Sequence, residues 1–203
     1  MDPRLKHPFT CIISGPTGCG KTVFVKSLLS KCQDAIYPPP EQIVWCYGEW
    51  QHGYEALKGV EFVEGLPQME RFDGQKRTLL IIDDLMSEAD DRVSNLFTKK
   101  SHHCNISVIY IVQNIFDKNK QHRTVSLNAH YMVVFKNPRD ASQITHLAKQ
   151  MYPGNVKFLQ EAFRDATKEP HGYLVLDLKQ STEENMRVRS KVLDDVQVVY
   201  LPK

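Results

Sequence analysis

Residues Gly15-Pro16-Thr17-Gly18-Cys19-Gly20-Lys21-Thr22 match G-x-x-x-x-G-K-[ST], and their surroundings leave the chain few folds to choose from. Ahead of the octet, Phe9-Thr10-Cys11-Ile12-Ile13 is apolar and β-branched, which reads as a strand. Behind it, Val23-Phe24-Val25-Lys26-Ser27-Leu28-Leu29 reads as a helix with one buried face. Small residues let backbone N–H groups curl around an anion with no Cβ in the way. Lys21 brings a cation to the outer phosphates, and the Thr22 hydroxyl suits Mg²⁺. The helix starting near Lys21 adds the positive end of its dipole. Strand, loop and helix together imply a site for a nucleoside triphosphate such as ATP.

The 203 residues suit one α/β domain, 1–203, with a C-terminal β extension over 172–203. A 41% hydrophobic content is enough for a buried core. The longest apolar runs fall far short of the ~20 residues a membrane span needs. No basic start leads into an apolar run, so no secretion leader is expected. Five cysteines, an odd number without a C-x-x-C pair, fit a reducing compartment. Cys11 and Cys46 fall inside expected strands. His102-His103-Cys104 invites a zinc reading, but no second ligand cluster lies near it in sequence. The net charge of +2 does not announce a nucleic-acid binder. Basic residues do cluster, at Arg4 to Lys31, Lys99-Lys100, Lys118 to Arg123, and Arg187 to Lys191, each of which reads by default as a solvated face.

Further along, Tyr37-Pro38-Pro39-Pro40 is a stop. Ile43 to Tyr47, Val60 to Val63, Thr78 to Ile82, Ile106 to Val112 and Tyr131 to Phe135 read as strands. Runs without polar alternation belong in a parallel sheet covered on both faces. Helices are expected over 87–100, with Ser87 as N-cap, and over 140–151 and 156–166. Strands separated by polar turns are expected over 172–178 and 186–201. The alternation implies right-handed crossovers and a doubly wound sheet.

Asp83 ends an apolar strand, the setting of a Walker B carboxylate that reaches Mg²⁺ through water. Asp84 follows it, where a second acid polarises the attacking water; a turn cap is the alternative. Gln113 closes the next strand, and its amide can donate and accept at once between γ-phosphate and water. Asn114 is the alternative to it. The transition state also needs a cation, often an arginine from a neighbouring subunit. Arg123 and Arg139, in the connections flanking Tyr131 to Phe135, are the candidates; contact with nucleic-acid phosphate or a local carboxylate is the alternative for either.

His7-Pro8-Phe9, the loop at Gly15 to Thr22, Ile81-Ile82-Asp83-Asp84, Tyr110 to Asn114 and Phe135-Lys136-Asn137-Pro138-Arg139-Asp140 carry a resemblance across nearly the whole chain. It continues through Tyr173 to Leu178 and Val199 to Pro202. Together these segments resemble the genome-packaging ATPases of the FtsK–HerA superfamily. The poxvirus-type branch, as in Polinton/Maverick elements, adintoviruses and virophages, is the most similar. The Val-Gln-Asn and Lys-Asn-Pro-Arg-Asp segments discriminate; the Walker loop does not. The resemblance implies a P-loop NTPase with a RecA-like core of the additional-strand (ASCE) class. It implies a homo-oligomeric ring, pentamer or hexamer, that pumps double-stranded DNA without sequence preference into a capsid, docked on a vertex or portal protein. It places the protein inside a host cell, in cytoplasm or nucleus at viral assembly sites, or with the virion. Carried over by position, Lys21 and Thr22 hold phosphate and Mg²⁺, Asp83 holds Mg²⁺ through water, Asp84 is the base, Gln113 the sensor, and Arg139 fits the finger pattern. DNA cutting would belong to another protein.

Phe116 to Arg123 reads as a flexible basic loop able to couple the sensor to DNA grip; a solvated loop is the alternative. Two other classes remain: a P-loop kinase of small molecules, for which no compact arginine-rich lid is visible, and a non-catalytic nucleotide-gated assembly switch.

Overall fold

A computed structural model of the chain describes residues 2–83, 85, 91–101, 104–116 and 120–202. Expectations for Asp84, Ser87, His102, His103 and Lys118 lie outside the described residues. The strands are β1 Leu5–Lys6, β2 Thr10–Ser14, β3 Ile36–Tyr37, β4 Gln42–Tyr47, β5 Val60–Glu64 and β6 Thr78–Asp83. They continue as β7 Ile106–Val112, β8 Tyr131–Phe135, β9 Tyr173–Asp177, β10 Val188–Ser190 and β11 Val198–Val199. The helices are α1 Lys21–Ser30, α2 Cys32–Ala35, α3 Asp91–Asn95, α4 Lys120–Leu127, α5 Ser142–Met151 and α6 Val156–Ala166.

Among the described residues one sheet dominates, in the order β11-β10-β9-β8-β2-β7-β6-β4-β5. From β8 to β5 every pairing is parallel. β9, β10 and β11 then add antiparallel at the β8 edge. The unalternating runs explain the layering, since each strand feeds two cores. Cys11, Ile13, Trp45, Leu79, Ile81, Ile109 and Ile111 pack on one face with Phe24, Val25 and Leu28 of α1. Ile12, Val44, Leu80, Ile82, Val108 and Tyr110 pack on the other, beneath α3, α5 and α6. A strand buried on both faces has no place for a polar side chain except at its ends.

Register puts those ends together. Asp83 pairs with Ile111, and Ser14 pairs with both Val112 and Val134. Gly15, Gln113 and Asp83 therefore stand along one edge of the sheet, with β7 inserted between β2 and β6.

Several local readings are revised or refined. Residues 120–123, read as flexible loop, belong to α4, because His122 and Val125 turn one face of that helix inward. The described part of the expected 87–100 helix is α3 followed by a wider π-turn at Leu96–Lys100. Ile36-Tyr37 forms a short parallel pair with Leu5-Lys6 before the prolines end it. All five cysteines are free. Burial pushes the Cys46 thiol up to about 12 and raises that of Cys11 further. Arg189, from a segment read as basic surface, is buried at 2% exposure. It donates to the Pro3 carbonyl at 2.6 Å and pairs with the Asp177 carboxylate at 3.5 Å. Among the described residues no helix is long and apolar enough to cross a membrane.

Candidate functional site

The octet turns over the end of β2, and its backbone shows why it is glycine-rich. Gly18 and Gly20 have φ of +80° and +110°, a region other residues enter only under strain. Gly15 is held by space instead: a Cβ there would lie 2.6 Å from Cys19 Sγ and 2.7 Å from Phe135 Cβ. The Gly15 N–H donates to the Val112 carbonyl at 3.3 Å, tying the loop to β7. Burial raises the Cys19 thiol pKa, with the Lys21 charge partly opposing it.

Gly20 caps α1 without a side-chain hydrogen bond, and no acidic residue stands in the first turn. The positive helix end is therefore not neutralised by its own sequence. Lys21 Nζ donates to the carbonyls of Gly15 at 2.5 Å and Pro16 at 3.0 Å, which draws the ammonium in under the loop.

One cleft of about 300 Å³ collects most of the expected site residues. Thr17, Gly18, Gly20, Lys21 and Thr22 line it together with Asp83 and Gln113. Asp83 is buried at 5% exposure, and its Oδ2 accepts a hydrogen bond of 3.0 Å from Tyr54 Oη. Gln113 is exposed at the mouth. Asn114 is committed elsewhere, since its Oδ1 accepts the Phe116 N–H at 2.8 Å and closes an Asx turn. Among the described residues no cluster of three His, Cys, Asp or Glu side chains is arranged to hold a metal.

Neither arginine lines the cleft. Arg139 is exposed in the turn after β8, where Asn137 Oδ1 accepts its N–H at 3.1 Å. Asp140 then holds the turn into α5, accepting from the Ser142 N–H at 3.2 Å, the Ser142 hydroxyl at 2.6 Å and Gln143 Nε2 at 3.0 Å. Within Asn-Pro-Arg-Asp, Asn137 and Asp140 thus build the turn and leave the Arg139 side chain outward. Arg123 is exposed on α4.

Three residues at the site have no motif to announce them. Gln51 and His171 line the cleft, and Tyr54 holds Asp83. Gln51 and Tyr54 come from the long connection after β4, and His171 from the turn before β9. Only topology brings those segments to the loop.

No protein-family model and no curated protein matches the sequence. Solved structures do match. The genome packaging NTPase B204 from Sulfolobus turreted icosahedral virus 2, in complex with sulfate, aligns at a TM-score of 0.59 and 12% identity, covering 97% of each chain. The same protein in complex with AMPPCP aligns at 0.58 and 11% identity, over 96% of this chain and 98% of that one. Its complex with ATP-gammaS aligns at 0.52 and 13%, over 100% and 99%. End-to-end coverage and the insertion of β7 between β2 and β6 make this chain a P-loop NTPase in fold, α/β with a RecA-like, additional-strand core.

Proposed function

We propose that this protein is an ATPase of the FtsK–HerA genome-packaging kind, hydrolysing ATP between subunits of a ring to drive double-stranded DNA into a capsid. The observation that carries the reading is the single cleft shared by Lys21, Thr22, Asp83 and Gln113. A triphosphate in that cleft meets the loop N–H groups and the Lys21 ammonium. Thr22 and Asp83 bring hard oxygen donors to the same cleft, a set that suits Mg²⁺. Bound there, the ion would neutralise charge on the outer phosphate oxygens. Gln113, at the mouth, can donate to a γ-phosphate oxygen and accept from the attacking water. Asp84, next in sequence to Asp83, takes that water's proton.

The exposed Arg139 and Arg123 suit delivery of the finger to a neighbouring subunit's cleft, because neither reaches its own. Likeness to a viral packaging NTPase over the full chain supports the DNA-packaging reading, with a capsid vertex or portal as docking partner and assembly sites inside the host cell as location. DNA is gripped through phosphates without base readout, by basic residues of the segment that follows Gln113.

ATPase rate measured against protein concentration, with and without double-stranded DNA, tests the reading. The rate per subunit should rise with concentration and rise again with DNA. A rate indifferent to both would exclude a ring translocase, and turnover that needs a small acceptor would mark a kinase. ATP binding without any turnover would mark a switch. Asp84→Asn should keep ATP binding and lower turnover at least ~100-fold.

A further inference from the structure

The cleft continues beyond the loop. His171 lines it and also lines a second hollow of about 380 Å³ at the start of β9 and the end of β10. The junction is firmly built. His171 has φ of +61°, and its Nδ1 lies 3.1 Å from the Cys19 carbonyl, to which it donates as the Nδ1–H tautomer. A Cβ on Gly20 would stand 3.1 Å from that ring nitrogen. One on Gly172 would come within 2.3 Å of the Ala166 carbonyl, so the turn carrying His171 has no slack.

Direction follows from the sheet order. A nucleotide carries its phosphates at one end. On the proposed function Asp83 and Gln113 meet the outer phosphate, and they stand on the β6–β7 side of β2, while the hollow lies on the opposite side, beyond β8. The nucleoside must therefore leave the loop toward the hollow. Charge agrees. Asp165, Glu169 and Asp194 stand there against Lys168 and Lys191, a mixture that suits hydroxyl and amino groups and disfavours a polyphosphate. Tyr200 supplies an aromatic wall. Its Oη donates to Asp165 Oδ2 at 2.8 Å and lies 3.2 Å from Ser190 Oγ, which fixes the ring.

We propose that this hollow is the nucleoside subsite, with Tyr200 as the surface for the base and His171 as the divide between phosphate and nucleoside. The inference rests on the ATPase reading of the cleft, and the test separates the two. Affinities for ATP and for inorganic tripolyphosphate are measured by calorimetry on the full chain and on Tyr200→Ala and Tyr200→Phe. Wild type should bind ATP about tenfold or more tighter than tripolyphosphate. Tyr200→Ala should lose about tenfold for ATP while tripolyphosphate stays within about twofold, which also reports an intact loop. Tyr200→Phe, which keeps the ring and loses only its ties, should lose clearly less ATP affinity than Tyr200→Ala. Equal losses for both ligands, or no loss for either, would overturn the subsite and leave the ATPase reading standing. Failure of wild type to bind either ligand would remove both.

Discussion

Gly15 shows how much one missing side chain decides. Its neighbours already occupy the place a Cβ would take, and one of them, Phe135, belongs to β8 rather than to the loop. Gly15→Ala must push loop and strand apart, since interiors have little give. We expect a loss of about 1–3 kcal/mol in a urea titration. ATP affinity should fall with it, because the same displacement opens the loop. Gly18→Ala has nothing within 4 Å to strike, and its cost comes from φ alone. A Gly15→Ala protein with unchanged midpoint and affinity would show that β8 yields freely. Lys21, Thr22 and Gly15 to Gly20 were legible as a candidate site because the motif is local. Gln51, Tyr54 and His171 were not, because their roles depend on partners far away in sequence.

At the scale of elements, the phosphate loop works only if β2 and β7 keep their register, and a histidine ahead of β2 helps to hold it. His7 Nε2 donates to Asn105 Oδ1 at 2.9 Å, and its Nδ1 accepts from the Ser107 hydroxyl at 2.6 Å. That hydroxyl oxygen in turn accepts the Phe9 N–H at 3.2 Å. Both ring nitrogens are thus satisfied in the neutral form. Burial lowers the His7 pKa below 6.5; the Asn105 bonds oppose this, and the charges of Arg77 and Lys179 add to it. The sign follows. As pH falls past 6.5 the unfolded chain takes the proton first, so stability drops until the folded histidine titrates as well. Between about pH 7 and about pH 5, wild type should lose more stability than His7→Gln in urea midpoints. Parallel slopes would mean that His7 contributes nothing to acid sensitivity. Among the elements, the core strands were readable because their apolar runs are continuous. α4 was not, since eight mostly polar residues carry little apolar signal; among the described residues His122 and Val125 mark its inner face.

At the scale of the whole molecule, the sheet gathers Lys21, Thr22, Asp83 and Gln113 at one edge and leaves both candidate fingers outside the cleft. On the proposed function, a second copy completes the site. Lys21→Ala and Arg139→Ala should each abolish turnover alone. Mixed in equal amounts, they should regain activity at about a quarter of the interfaces, where a subunit that keeps Lys21 meets a neighbour that keeps Arg139. Recovery with Arg123→Ala in place of Arg139→Ala would assign the finger to Arg123, and recovery with neither would refute a finger in trans.

The sequence by itself determined the strands that feed the core and the loop that closes over β2, because continuous apolar runs and the G-x-x-x-x-G-K-T octet act through neighbours in the chain. The tertiary structure decided the rest. Strand order put Asp83 and Gln113 beside Lys21, burial turned Arg189 from a surface charge into an internal tie, and the turn before β9 brought His171 against the loop. Those outcomes depend on which segments become neighbours across the sheet, a relation that no local pattern encodes.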